Sequence, residues 1–204
     1  YFGWYHGDVR DIARAASAVP RVVRFVSEFG AQAVPDDAEF IDPSAWPDLD
    51  WAHLAVHHGL QKWVFDERVP PAEFATFDAW RHATQTYQAE LLRHHIEVLR
   101  RLKYRPAGGF CLFAFNDPMP MVSWSIVDHE RRPKLAWDAV KRACRPVIVV
   151  AERPPDLVTT GEHLTLDVHV VNDLRVAVEP ATVQVGARWA GGDRCWSFGG
   201  RIGA

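Results

Sequence analysis

No run of apolar residues in this chain approaches the roughly 20 needed to cross a bilayer, and its longest candidate helix is interrupted by charges, so a protein not integral to a membrane is expected. Neither sign of charge predominates. With 23 Lys and Arg against 26 Asp and Glu, interspersed and netting -3, there is no basic stripe to neutralise a phosphate backbone, and no nucleic-acid partner is expected. Cysteine is scarce: Cys111, Cys144 and Cys195 are odd in number and widely spaced, which fits neither a disulfide framework nor a paired-cysteine zinc site. They read as reduced structural thiols. No internal repeat, low-complexity tract or glycine-rich phosphate loop is present, and nothing calls for a cofactor or metal. The opening Tyr1-Phe2-Gly3-Trp4-Tyr5 has no charged n-region or cleavage pattern and is not read as a signal peptide. Because the chain does not start with Met, a leader upstream stays open, and the compartment is left as cytoplasmic or secreted.

What is present is enough apolar content, 48% of 204 residues, for a real core. Two regimes meet near Arg145-Pro146. Before it, strand-like runs alternate with helix-period segments: a strand end at residues 1–5, a helix over 8–18 started by Asp8, and a doubly buried strand at Arg21–Ser27. A short helix over 49–58 follows, then a long one from Pro71 to Pro106 with Phe74, Phe77, Trp80, Thr84, Tyr87, Leu91, Val98 and Leu102 at helical spacing. A second buried strand, Phe110–Phe115, and a helix from Pro133 complete βαβα order, which parallel strands satisfy as an open sheet or a barrel. Beyond Pro146, alternating runs at 147–151, 164–171 and 182–189 are separated by turns at 153–156, Gly161, Asn172-Asp173 and 191–193, a β-sandwich pattern with too few strands to be complete.

In a β/α barrel the reactive groups gather at the C-terminal ends of the strands. Two strand ends carry polar groups, Ser27-Glu28 and Asn116-Asp117. On spacing alone Glu28 reads equally well as half of a salt bridge with a nearby Arg, and Asn116-Asp117-Pro118 is also ordinary turn chemistry. His53, His57 and His58 include an i,i+4 pair but lack the adjacent Glu of a helical zinc motif; they and His94-His95 read as surface or core histidines. Asp128, His129, Arg131 and Arg132 read as a charged loop folded by ion pairing.

The run Arg24-Phe25-Val26-Ser27-Glu28-Phe29-Gly30-Ala31-Gln32 resembles the nucleophile segment of glycoside hydrolase family 2, especially its β-mannosidase branch. Asn116-Asp117-Pro118-Met119-Pro120, Val122 to Asp128 and Arg132-Pro133-Lys134 are similar to the eighth barrel strand and following loop, and Gly3 with His6-Gly7 to the segment after the sixth. Three matches in order, across about residues 1 to 145, imply the C-terminal part of a (β/α)8 TIM barrel, followed over 146–204 by an incomplete immunoglobulin-like β-sandwich. The resemblance implies a retaining glycosidase acting on β-linked, mannoside-like hexosides, with Glu28 as nucleophile and Trp4, His6, Phe113, Asn116, Asp117 and Trp124 as substrate-binding candidates. Its acid/base partner, a Glu after Asn, is expected in a missing N-terminal part of the same polypeptide, roughly 5 Å away when assembled. Lacking it, the fragment alone is expected to be inactive, since acid catalysis is worth ~10²–10⁴-fold. The β-mannosidase branch usually has Trp-Gln before the Leu-Asn-Asp of this strand and Trp two residues after the Asp. Phe113-Ala114 and Met119 stand there instead, which puts mannose in doubt and keeps a catalytically lapsed carbohydrate-binding module as the alternative.

Overall fold

Short β-branched and aromatic runs make short strands, and the longest amphipathic run makes the longest helix. The computed structural model describes residues 3–155 and 157–203, and only the backbone of residues 3–5. The expected strand start at Tyr1-Phe2 and the turn residue Asp156 lie outside the described residues. The chain divides into two compact units, Tyr1–Ala143 and Cys144–Ala204.

The first unit runs β1 (Gly3–Tyr5), α1 (Asp11–Ala18), β2 (Phe25–Val26), β3 (Glu28–Gly30), α2 (Trp51–His58), α3 (Lys62–Arg68), α4 (Phe77–Arg101), β4 (Gly109–Phe110) and α5 (Leu135–Ala143). β1 pairs in parallel with β3, Gly3 opposite Glu28 and Tyr5 opposite Gly30. β2 pairs in parallel with β4, Phe25 opposite Gly109 and Val26 opposite Phe110. That second ladder continues past β4, because Cys111 N–H donates to Val26 O at 2.9 Å and Phe113 N–H to Phe29 O at 2.9 Å. Residues 25–30 thus lie between two parallel neighbours, with α1 and α4 in the crossovers, which is βαβαβ order.

Several boundaries differ from the sequence reading, each for a local reason. α4 starts at Phe77 because the Thr76 side chain accepts from Ala79 N–H, whereas Pro71 opens a separate 3₁₀ turn, Pro71–Glu73. Asp8 does not cap α1 directly; its carboxylate accepts from Arg10 N–H at 2.8 Å and shapes the approach to the helix. The run expected as one strand from Arg21 begins as a 3₁₀ turn, Pro20–Val23, and breaks again at Ser27. The short, tryptophan-bearing α3 was not anticipated. The cysteines, expected as reduced structural thiols, form no disulfide among the described residues, and all three are exposed; Cys111 sits on a rung past β4.

Two apolar clusters fill this unit. One joins Ile12, Val26, Phe29, Leu92, Ile96, Leu99, Ile126 and Ala136, so that α1, α4 and α5 pack on the strands. The other surrounds the fully buried Trp80 with Val34, Leu60, Phe65 and Phe77, and Trp46 lies 5.2 Å from Trp80 ring to ring. Among the described residues no helix is long and apolar enough to cross a membrane.

The second unit consists of two antiparallel ladders, β5 (Val147–Ala151) with β6 (Val168–Asn172), and β7 (Val178–Trp189) with β8 (Gly192–Ile202). β8 went unread in the sequence because its Gly, Arg and Asp content hides the alternation of Cys195 and Trp196 with their neighbours. Ile148, Val150 and Val171 form its small core.

A core histidine gives this fold a pH signature. His95 on α4 is fully buried, 5.6 Å from the Phe29 ring, and burial, with a smaller push from His94, lowers its pKa from 6.5 to about 3. As pH falls below 6.5 the unfolded chain takes up a proton that the folded chain refuses until about 3, so stability is lost across that window at up to about 1.4 kcal/mol per unit. Urea midpoints measured from pH 7 to 4 should fall steeply in the parent chain and more shallowly in His95→Leu.

Candidate active site

The site is built where β3 ends. Val26 and Phe29 are both fully buried in one cluster although they are three residues apart, so the alternation of a regular strand is interrupted at Ser27. Within β3 alternation holds again. Phe29 points to the helix layer, its ring 5.6 Å from His95 and 6.0 Å from Phe110. Glu28 and Gly30 therefore occupy the opposite face, with Glu28 half-buried.

Gly30 defines what that face meets. A Cβ built on it would collide with the carbonyl oxygen of Phe113 and lie 3.4 Å from Cβ and Cδ1 of Trp124. Only a residue without a side chain allows so close an approach of two backbones. Trp124 is the centre of a ring cluster, 5.7 Å from Phe113 and 5.9 Å from His6, and His6 is 5.7 Å edge-on from Trp63. His6 reaches this cluster through left-handed backbone at φ 59, fixed by its N–H donating to Gly30 O at 2.9 Å. Gly7 follows at φ 91, and its carbonyl accepts from the Tyr87 hydroxyl at 2.9 Å. Burial lowers the His6 pKa, against the opposing effect of a hydrogen bond with Gln61, which favours a neutral ring at neutral pH.

Buried polar side chains hold the loops that carry these rings. Gln88 Nε2 on α4 donates to Ala31 O at 2.8 Å and to Trp124 O and Ser125 O at 3.1 Å. Gln85 Nε2 donates to Val34 O at 3.0 Å and Asp36 Oδ1 at 2.9 Å, while its Oε1 accepts from Leu135 N–H at 3.0 Å. Thr84 Oγ1 accepts from Val34 N–H at 3.1 Å. Gln32 closes the other side: its Nε2 donates to Gly59 O and Val122 O, and its Oε1 accepts from Gln61 N–H at 2.8 Å.

The sequence candidates separate. His6, Phe113 and Trp124 come together on the face that Glu28 shares with Gly30. Trp4 pairs with Phe29 through its backbone, and its side chain lies outside the described residues. Asn116 is half-buried and bridges to Val127, its amide donating to Asp117 O at 3.2 Å. Asp117 requires a correction: its carboxylate is turned inward, only 2% exposed, accepting from the Ser123 hydroxyl and lying 3.5 Å from Lys134 Nζ. A carboxylate so enclosed holds its own loop in place. Lys134 is equally buried and also reaches Ala33 O and Ser125 Oγ at 3.2 Å; burial lowers its pKa, with Asp117 opposing. Asp128 is 1% exposed and accepts from Arg132 N–H at 2.8 Å, so this charged loop is shaped by a carboxylate-to-backbone bond as well as by the ion pair of Arg132 with Asp37. A hollow of about 510 Å³ adjoins it, lined by Asp37, Phe40, Pro120, His129 and Arg132 among others, and does not include Glu28. Trp63, Gln85, Gln88 and Lys134 took no part in the sequence-based site. Trp63 sits on the unanticipated helix, and a glutamine inside a helical run carries no signal of what it bonds.

A glutamate on the strand face opposite Phe29, the face on which Gly30 meets Trp124, is an arrangement suited to a sugar ring, whose apolar faces stack on aromatics. No family model matches the chain. In sequence it is 32% identical over 181 residues to β-mannosidase B of Thermothelomyces thermophilus, spanning 80% of this chain and 21% of that protein. It is also 32% identical over 139 residues to β-mannosidase B of Aspergillus niger, spanning 64% of this chain and 16% of that protein. In fold it matches the β-D-mannosidase of Dictyoglomus thermophilum with a TM-score of 0.69 at 22% identity, over 97% of this chain and 25% of that one. The exo-chitosanase of Amycolatopsis orientalis gives 0.69 at 17% identity, over 98% and 25%. In sequence and fold the chain is β-mannosidase-like: it is similar to one part of these enzymes and spans about a fifth or less of the length of the curated relatives named here.

The buried ion pair makes a direct prediction. Lys134→Met leaves Asp117 enclosed without its cation and should destabilise the chain by roughly 3–5 kcal/mol. Adding Asp117→Asn should recover part of that loss, as read from urea unfolding of the single and double variants. Gly30→Ala forces the Phe113 carbonyl aside and should cost about 1–3 kcal/mol in the same assay.

Proposed function

We propose that this chain is the C-terminal part of the catalytic barrel of a retaining glycoside hydrolase, residues 1–145, followed by the start of an immunoglobulin-like sandwich, residues 146–204. The polypeptide that carries it removes terminal β-linked, mannoside-like hexosides. Glu28 attacks the anomeric carbon and displaces the leaving group to form a covalent glycosyl-enzyme, which water then hydrolyses. The proton donor to the leaving oxygen, later the base for water, is a carboxylic acid outside residues 1–204.

One observation carries this reading: Glu28 lies on the strand face opposite Phe29, the face on which Gly30 makes room for Trp124 and Phe113. In this reading Trp124 and Phe113 supply stacking surface to the sugar, His6 and Asn116 supply polar contact, and Trp4 stays a substrate-binding candidate. Asp117 acts through Ser123 and Lys134 as a positioning residue for the loop that bears Trp124. The βαβαβ order supports the barrel, with Gly3–Tyr5, residues 25–30 and residues 109–113 as three consecutive strands.

The full-length polypeptide treated with a 2-deoxy-2-fluoro β-glycoside bearing a good leaving group should become labelled at Glu28, located by peptide mass spectrometry. Glu28→Ala should lower kcat by about 10³-fold or more. Label on another residue would reassign the nucleophile. Sugar binding with neither label nor turnover would support the lapsed binding module instead.

A further inference from the structure

The second unit carries a group of side chains that glycoside hydrolysis at Glu28 does not use. On the β5–β6 pair, Ile148 stands opposite Val171 and Val150 opposite His169, and one step further Glu152 stands opposite Asp167, joined by Glu152 N–H to Asp167 O at 2.9 Å. All six residues share one face of the ladder. Its first three, Ile148, Val150 and Val171, are 3–8% exposed and form the unit's core. The face then changes character within a single rung, to an imidazole and two carboxylates.

Three features of this change point the same way. The ligand atoms of Glu152, Asp167 and His169 all lie within 4.8 Å of one another, near the spacing of about 3.5 Å that donors 2.0–2.2 Å from a tetrahedral ion adopt. Like charges directly opposite each other across an antiparallel pair repel, and a cation between them reverses that sign. His169 Nε2 is shielded from solvent and has no hydrogen-bond partner among the described residues, in a face where a polar atom is costly unless it is bonded. Glu152 Oε2 also accepts from Asp167 N–H at 3.2 Å, a bond that holds this carboxylate toward the partner strand.

We infer that Glu152, Asp167 and His169 form a binding site for a divalent transition cation of the zinc type, unconnected with catalysis at Glu28. One imidazole and two carboxylates suit such an ion, with water at its remaining position. Three protein donors, one of them nitrogen, are a poor match for calcium or magnesium, which take more ligands and prefer oxygen. The ion ties Glu152 to Asp167 at the mouth of the connection that leaves β5 and returns to β6. It thereby closes a long loop at the point where backbone pairing stops.

Zinc titration into metal-stripped protein, followed by calorimetry, tests this. The parent protein should bind one more equivalent of Zn²⁺ than either His169→Ala or Asp167→Asn, and Mg²⁺ should not compete. His53→Ala, which breaks up the neighbouring histidines of α2, should leave that equivalent in place. In the unaltered protein, Co²⁺ should broaden the His169 ring resonances in NMR spectra, a readout that does not depend on a variant folding. Equal Zn²⁺ stoichiometry and affinity in the parent and both variants, or His169 resonances unmoved by Co²⁺, would overturn the site.

Discussion

The first unit depends on one constraint: backbone that leaves a parallel strand end and turns inside the protein must find partners for its amides away from water. A buried polar group without a hydrogen bond costs roughly 1–3 kcal/mol, and the segments 31–35 and 122–125 both run through the interior. Their carbonyls and amides are met by Gln32, Thr84, Gln85, Gln88 and Lys134. Each of these side chains bonds backbone from a different part of the chain, so the polar network does the work that strand pairing does elsewhere. The ring of Trp124 is placed as a result, because Trp124 O accepts from Gln88 Nε2 at 3.1 Å while Gly30 leaves room for its Cβ and ring edge.

The same constraint explains why a lysine and an aspartate are buried together. Lys134 has donors to spare and reaches Ala33 O, Ser125 Oγ and Asp117 from one position. An apolar pair of the same volume would pack as well, but it would leave those acceptors unmet. The pair is therefore better understood as part of the loop scaffold than as a source of net stability. Asp117, which the sequence offered as a sugar ligand, is spent on this work.

How much was legible follows from what kind of signal each residue leaves. Glu28 stands out in the sequence as a candidate because it ends an apolar, β-branched run. The parallel order was legible because helix-period segments separate two such runs, and residues 25–30 do lie between parallel neighbours. The break at Ser27 was not, since nothing in RVVRFVSEFG announces that Val26 and Phe29 share a face. The inward glutamines were equally silent: Gln85 and Gln88 carry no sequence signal of burial, and only the neighbouring backbone shows why they are buried. α3 was hidden between two turns, and β8 by its glycines. Three exposed cysteines show the converse, an apolar preference that local geometry overrode.

Thr84, Gln85 and Gln88 also set the axial position of α4. A helix held by leucines alone can slide by a turn, about 5.4 Å, and still find apolar contact. With amide groups each matched to a particular carbonyl, such a slip would strand every one of them at once. The helix behind the sheet is thus indexed to the loops in front of it, like a key whose teeth admit one depth of insertion, and the distance between the glutamate and the aromatic rings is set from the rear of the sheet.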